Sequence, residues 1–485
     1  MTSAVDLRNQ SGFSEEPRDP SQRYYVYTQC DLAHIPQLAC LPEHYRFSMR
    51  TVANVLPFRV NRYVVENLID WDRVPDDPIF QLTFPQPGML APDQFDQMAN
   101  LFKSNGTRDE IKALATKLRL ELNPHPAGQL QLNVPSLDGH RLEGIQHKYP
   151  ETVLFFPSQG QTCHAYCTFC FRWAQFVGDR NLIFAAKEQD SLHRYLSAHK
   201  EVTDLLITGG DPMIMKTRYL ARYLEPFLDR TFDHVRNIRI GTKALAFWPY
   251  RFTSDDDADD LLRLIERLIS GGKNICIIAH YNHWRELETA AAAEAIRRVQ
   301  SAGPIIRSQG PLLAHINDDA DVWARLWSKQ VSLNIVPYYM FVERDTGARR
   351  YFEVPLARAC EIYRNATKQV SGLARHARGP SMSAGPGKVE IQGVAEVAGE
   401  KVFVLRFIQA RNPDWVQRPF FARFDCKATW LDELKPAFQQ EKFFFENEYE
   451  AMCAPMSLAR PGRLKIAASD EREKGNSVGA ALEQW

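Results

Sequence analysis

The 485-residue chain carries no charge excess: 59 Lys and Arg balance 59 Asp and Glu. That removes the electrostatic ground for expecting nucleic acid or an acidic membrane surface as a partner. No apolar run approaches the roughly 18 residues that a membrane span needs. Met1–Pro20 is polar, with Glu15, Glu16 and Asp19 where a signal peptide would be apolar. The cysteines are not arranged for disulfides either, because nine is odd and three are nearly contiguous. Such usage suits a reducing cytoplasm. The expectation is a soluble cytoplasmic protein with a disordered leader (1–20) and a loose, charged tail (466–485) containing Ser469-Asp470-Glu471-Arg472-Glu473-Lys474. The hydrophobic content is 45%, which at this length is enough for a large catalytic domain with flanking modules.

The cysteines that are clustered form Cys163-His164-Ala165-Tyr166-Cys167-Thr168-Phe169-Cys170. Three thiolates at this spacing can hold three irons of a [4Fe–4S] cluster and leave the fourth iron open to a small molecule, to which it can pass an electron. A tetrahedral zinc site wants four ligands, commonly as two close pairs. Cys30, Cys40, Cys276, Cys360, Cys426 and Cys453 stand alone, and His164 is cramped beside a ligating cysteine. Zinc and plain core cysteines remain as the alternatives.

From Val153 to Tyr339 short apolar runs alternate with periodic segments. The strand candidates are Val153–Phe156, Asp204–Thr208, Asn237–Gly241, Asn274–His280, Pro304–Arg307 and Ser332–Pro337. Helical patterns fall between them at Glu188–His199, Thr217–Leu228, Asp259–Ile269, Arg285–Ala302 and Asp319–Ser328. Alternation of this kind gives parallel strands with crossovers. Six strands are too few to close an eight-fold barrel, so the fold expected is α/β, a partial (β/α)6 barrel. Its reactive side is at the strands' C-terminal ends.

Four groups of residues fall on those ends. Thr208-Gly209-Gly210-Asp211-Pro212 follows the second strand, and its glycines allow close backbone approach to a ligand, or make an ordinary turn. The fourth strand runs into His280-Tyr281-Asn282-His283, placing four polar or aromatic groups where a ligand would sit. The fifth leads to Gln309 and Asn317-Asp318-Asp319, the sixth to Pro337-Tyr338-Tyr339. Further on, Ser383-Ala384-Gly385-Pro386-Gly387-Lys388-Val389 is a glycine-rich loop carrying one lysine; on its own it reads as a hairpin with a solvent lysine.

The CxxxCxxC spacing resembles the radical S-adenosylmethionine (SAM) superfamily. Together with His147-Lys148-Tyr149-Pro150, Phe171-Arg172 and the strand-end motifs in this order, the chain resembles the lysine 2,3-aminomutase family over about residues 45 to 410. The resemblance implies three cofactors: a [4Fe–4S] cluster on Cys163, Cys167 and Cys170; SAM held by Gly209, Gly210, Asp211, His280 and Gln309; and pyridoxal 5′-phosphate (PLP) on Lys388, with Lys148 and Tyr149 at its phosphate and ring. Lys388 is then the catalytic residue. It further implies a 21–150 mostly helical region, a 151–345 radical SAM barrel and a 346–465 extension bearing the PLP lysine. The reaction implied moves an amino group from Cα to Cβ, with Arg172 clamping the substrate α-carboxylate.

Departures from the family pattern concern the substrate. Lysine-specific members place aspartates around the distal ammonium, and the matching positions here are Arg344 and Ser381. A guanidinium in place of a carboxylate reverses the local sign. The substrate expected is an amino acid other than lysine, with an acidic side chain such as glutamate favoured. The counter-reading is a one-residue slip that points Glu343 or Asp345 inward and restores a lysine pocket. A radical SAM enzyme that does not use PLP is the other alternative. An arginine that some members use for the PLP phosphate is Thr152 here. Cys426 and Cys453 are too far apart for the C-terminal zinc of some members, so no structural zinc is expected. The partners implied are a small amino acid and an external low-potential electron donor. Val402–Phe407 reads as a strand, and Phe443-Phe444-Phe445 as packing or a homo-oligomer contact.

Overall fold

The apolar strand candidates assemble into one sheet. In a computed structural model describing residues 23–186 and 190–457, eleven strands lie side by side in chain order. The leader at 1–20 and the tail at 466–485 lie outside the described residues. Before this sheet come two short antiparallel pairs, β1 (Val26–Thr28) with β2 (Arg59–Asn61) and β3 (Ser136–Leu137) with β4 (His140–Arg141). The sheet then runs β5 (Ile145–Tyr149), β6 (Thr152–Phe155), β7 (Asp204–Ile207), β8 (Asn237–Thr242), β9 (Asn274–His280), β10 (Ile305–Leu312), β11 (Val336–Val342), β12 (Arg378–Ser383), β13 (Gly387–Val397), β14 (Glu400–Ala410) and β15 (Pro419–Arg423).

Strands β6 to β12 are mutually parallel; β5 at one end and β13 to β15 at the other are antiparallel additions. Each parallel step is bridged by a helix, as a parallel connection requires. These are Asp190–Ala198, Thr217–Leu224, Ala258–Ser270, Ala290–Ser301, Ala320–Ser332 and Leu356–Lys368. The helix Ala258–Ser270 shows why they pack as they do. It buries Leu261, Leu262, Leu264, Ile265 and Leu268 while Asp259, Asp260, Glu266 and Arg267 stay exposed, a stripe of helical period. Helices Glu43–Ala53, Pro92–Lys103 and Arg108–Glu121 precede the sheet.

The parallel run is one strand longer than the six read from the sequence, because β12 pairs with β11. Two strand bounds also move. The strand expected to stop at Arg307 continues to Leu312, since Ser308 and Gln309 stay in register with Ala279 and His280 on β9. Ser332 is helical, Asn334 makes a turn at φ 54°, and the strand placed at Ser332–Pro337 begins at Val336. One apolar core draws residues from Leu32 to Ala377; a second, from Val342 to Phe445, lies under β13 to β15. Phe443 and Phe445 are buried in that second core against Phe420. Among the described residues no helix is long and apolar enough to cross a membrane.

Candidate active site

Where β6 ends, the chain turns through Ser158–Gly160 into the cysteine loop, which the preceding region clamps. Tyr166 N–H donates to the Arg59 carbonyl at 2.8 Å and Thr168 N–H to the Leu82 carbonyl at 3.0 Å. The Gly209-Gly210 segment packs on the root of this loop. Gly209 has φ +149°, and a Cβ there would lie 2.4 Å from Gln161 Nε2; on Gly210 it would lie 2.4 Å from the Thr162 carbonyl oxygen. Gly210 therefore admits the cysteine loop's own backbone and Gly209 the Gln161 side chain, contacts the sequence did not announce. Asp211 is likewise occupied internally: its carboxylate accepts from Met213 N–H, the Thr242 hydroxyl and Lys243 N–H at 2.7 to 2.9 Å. Among the expected SAM residues it acts as the loop's brace.

A cavity of about 360 Å³ opens at this end of the sheet. Cys163, Cys167, Cys170, Arg172, Gly209, Gly210, Asp211, His280, Gln309, Lys148, Tyr149, Arg344 and Lys388 all lie on its wall. Ser381 does not. It sits between Phe341 and Glu390 in the ladder, is fully buried, and leaves its hydroxyl without a partner. Ser383, two residues nearer the cavity on the same strand, lines the wall instead. Of His280-Tyr281-Asn282-His283 only His280 faces the cavity. Beyond it the chain turns inward: Asn282 accepts from Lys243 Nζ at 2.9 Å, and His283 caps the next helical turn. Asn317 is a brace, receiving Leu313 N–H and donating to the Asn282 and Pro311 carbonyls.

The three thiols are free and partly exposed to the cavity. Burial pushes Cys163 and Cys167 well above the ordinary thiol range and Cys170 up to about 11. As thiolates they thus need a bound cation. Among the described residues no three His, Cys, Asp or Glu side chains converge closely enough to hold one metal ion. Three thiols on one wall are the donor set a [4Fe–4S] cluster takes, one thiolate per iron.

The wall is cationic. Lys148, Arg172, Arg239, Lys243, Arg344 and Lys388 face Asp211 and Glu343. Arg239 is paired with Asp204 at 2.6 Å and Lys243 with the buried Glu286 at 2.5 Å. Lys148, Arg172, Arg344 and Lys388 have no carboxylate within ion-pair reach among the described residues. Arg172 is 6% exposed, lies 3.9 Å over the Phe156 ring and leaves Nε and Nη2 without acceptors. Burial lowers it to about 10, against the pull of Cys170 and Cys163. Buried donors without partners are costly. An anion in the cavity would satisfy them. Arg344 is similar, with Nε unpartnered and the guanidinium 5.0 Å from the Phe171 ring. Glu343 beside it is buried, and burial pushes its carboxyl well above the usual range. Asp345 is not on the wall; it accepts from Asn123.

Lys388, on β13, is half-buried, with Nζ 4.3 Å from the Tyr339 ring centroid. Burial, then Arg239 and Arg378, lower its amine to about 7. It is not the solvent lysine of an ordinary hairpin. Lys148 donates to the Ala384 carbonyl at 2.5 Å. Burial first, then Arg411, Arg344 and Lys388, hold its amine well below an ordinary lysine. Arg411, just past β14, is bonded to the Gly385 carbonyl and Asn133 and lies beside the C-terminal helix residue Tyr449. Nothing in the sequence pointed to Arg411. A guanidinium thus reaches Lys148 from β14 where Thr152 offers none.

No family model matches the chain. It is 30% identical over 394 residues to a putative L-lysine 2,3-aminomutase of Aquifex aeolicus, covering 81% of this chain and 91% of that protein. It is 27% identical over 266 residues to the L-lysine 2,3-aminomutase of Bacillus subtilis, covering 54% of this chain and 53% of that one. It is 26% identical over 271 residues to the glutamate 2,3-aminomutase of Clostridioides difficile, covering 55% and 59%. The last two alignments thus span little more than half of each relative. Among solved structures, Streptococcus suis SuiB bound to S-adenosylmethionine aligns at TM-score 0.32 and 15% identity over 57% of each chain, a likeness too slight to bear on the fold.

Proposed function

Because the chain belongs to the lysine 2,3-aminomutase family of radical SAM enzymes, and is therefore an isomerase, we propose that it moves the α-amino group of an L-amino acid other than lysine to Cβ. The observation that carries this reading is that the cysteine triad, Arg172 and Lys388 face a single cavity. Strands β6 to β11 are read as a partial barrel (151–345) preceded by a mostly helical region (21–150), and β12 to β15 as part of the extension (346–465) that brings the lysine to it.

Cys163, Cys167 and Cys170 would hold three irons of a [4Fe–4S] cluster. SAM would sit against the Gly209-Gly210 backbone, His280 and Gln309. His280 Nε2 is buried without a partner, and burial beside Lys243 keeps the ring neutral. That ring is able to accept a hydrogen bond. Lys148, with Arg411 behind it, would take the PLP phosphate, Tyr149 the ring, and Lys388 the aldehyde. When bound, the cluster with SAM supplies a carbon-centred radical and PLP supplies the π-system that lets an amino group migrate.

The chain's own residues position and shield. Arg172 has two unpartnered donors for an α-carboxylate, which would fix Cβ in one place. Phe156, Phe169, Phe171, Tyr339 and Phe341 on the wall keep water away from a reactive intermediate. At the side-chain end, Arg344 offers an unpartnered guanidinium to a carboxylate or other acceptor. Glu343 on the same wall supports a second reading, a distal ammonium as in lysine. Burial holds Glu343 toward its neutral form, which favours the first. Incubating the reconstituted enzyme with each of the twenty amino acids and identifying β-amino products by mass spectrometry tests this. An acidic or amide substrate is expected, and β-lysine as the dominant product would overturn it.

A further inference from the structure

Lys388 does not face the cavity unsupported. Its Nζ donates to Gln409 Oε1 at 3.0 Å, and Gln409 Nε2 donates to Glu151 Oε1 at 3.1 Å. Gln409 lies opposite Lys388 in the β13–β14 ladder and is itself on the cavity wall. Resting on the reading that Lys388 takes up PLP, we propose that Gln409 is the positioning residue for that amine. Anchored by Glu151, it presents its amide oxygen to Lys388 and holds Nζ over the Tyr339 ring.

The orientation follows from donor chemistry. An ionised carboxylate only accepts, so Glu151 binds the amide NH2 and turns the oxygen toward the lysine. An amide oxygen accepts an N–H from a neutral amine or an ammonium alike and adds no charge. A carboxylate at position 409 would instead pin Lys388 as an ammonium. The other groups facing the amine come from several elements. Arg378 on β12, Lys148 on β5 and Arg239 on β8, the last paired with Asp204, disfavour a charge there, and the Tyr339 ring and Glu151 tolerate one. Burial first, and then the balance of these groups, leave the amine near 7. Condensation with an aldehyde needs the nitrogen lone pair: the C–N bond forms and water leaves. A neutral partner at 409 keeps that lone pair available at neutral pH, and the second hydrogen bond keeps it aimed.

The test uses the full-length protein without PLP. Lys388 is reductively methylated across a pH series and quantified by peptide mass spectrometry, and PLP uptake is then followed by absorbance. Gln409→Glu is expected to raise the labelling midpoint by about one to three units, so that labelling and PLP uptake at pH 7 fall about fivefold or more. Glu151→Gln, at an exposed position, is expected to lower the midpoint by removing a charge, and to slow PLP uptake by freeing the amide to turn over. Gln409→Leu is expected to keep a low midpoint yet slow PLP uptake. Unchanged midpoints and uptake rates in variants with native circular dichroism would overturn the proposal. Because the labelling needs no cofactor, that failure is separate from the failure of the PLP reading, which would appear as no pyridoxyl group on Lys388 after borohydride.

Discussion

Replacing Arg172 with Met tests the carboxylate clamp, because structure and function then move in opposite directions. In the substrate-free protein this guanidinium is 6% exposed with two donors unsatisfied. Removing unsatisfied buried donors relieves about 1–3 kcal/mol. Loss of the contact over Phe156, 3.9 Å away, costs about 0.5–2 kcal/mol. Met fills most of the same volume, so the folded protein should be as stable as wild type or more so. Binding should suffer instead: truncating one side of a buried charge pair costs about 2–5 kcal/mol. At about 1.4 kcal/mol per decade, that is a loss of roughly 30-fold to several thousand-fold in affinity for the amino acid. The assay is a thermal melt beside equilibrium binding of the amino acid and of the corresponding amine lacking the carboxylate. Wild type should prefer the amino acid, and the variant should bind both alike. A destabilised variant that still discriminates between them would refute the clamp and leave Arg172 a packing residue.

Other expectations follow from the same geometry. Gly210→Ala puts a methyl 2.4 Å from the Thr162 carbonyl, so iron and sulfide per chain should fall severalfold on reconstitution; full loading would show that the Gly-Gly contact does not shape the cysteine loop. Arg344→Asp restores a carboxylate at the side-chain end, so product analysis should show activity moving toward amino acids with a distal ammonium, and an unchanged product profile would count against Arg344 as the selector. Lys388 is lowered to about 7 when folded and is about 10.4 when unfolded, so the unfolded chain binds more protons between those values and folding stability should rise with pH there. That rise should be absent in Lys388→Met, with PLP omitted from both; identical pH profiles would mean the amine is not held low.

Much of this was legible in local spacing, and what was missed has a common cause. Cys163, Cys167 and Cys170 fall within one loop, so a cluster could be read from their spacing, whereas the role of Arg172 came from the family resemblance. The reading failed where strand ends depend on neighbours: Ser308 to Pro311 looks like a turn by composition, yet pairing with β9 and β11 carries the strand through it. It failed again where one residue decides the facing, since His280 meets the cavity and Tyr281 to His283 turn into the interior. Ser381 has the right place in a gapless count but lies too deep in the ladder to reach the wall. Glu151, Gln409 and Arg411 carried no signal, because they meet Lys388 and Lys148 only through a fold that brings together residues far apart in the chain, Glu151 and Gln409 being separated by 258 positions.

The central claim is that the cysteine triad and Lys388 serve one reaction in one cavity. It is tested most directly by supplying the reconstituted enzyme with SAM, PLP, a reductant and a uniformly deuterated mixture of the twenty amino acids, then measuring deuterium in the 5′-deoxyadenosine formed. The account predicts deuterium in the wild-type product and none in Lys388→Ala with its cluster fully loaded. Equal deuterium transfer in both would contradict it.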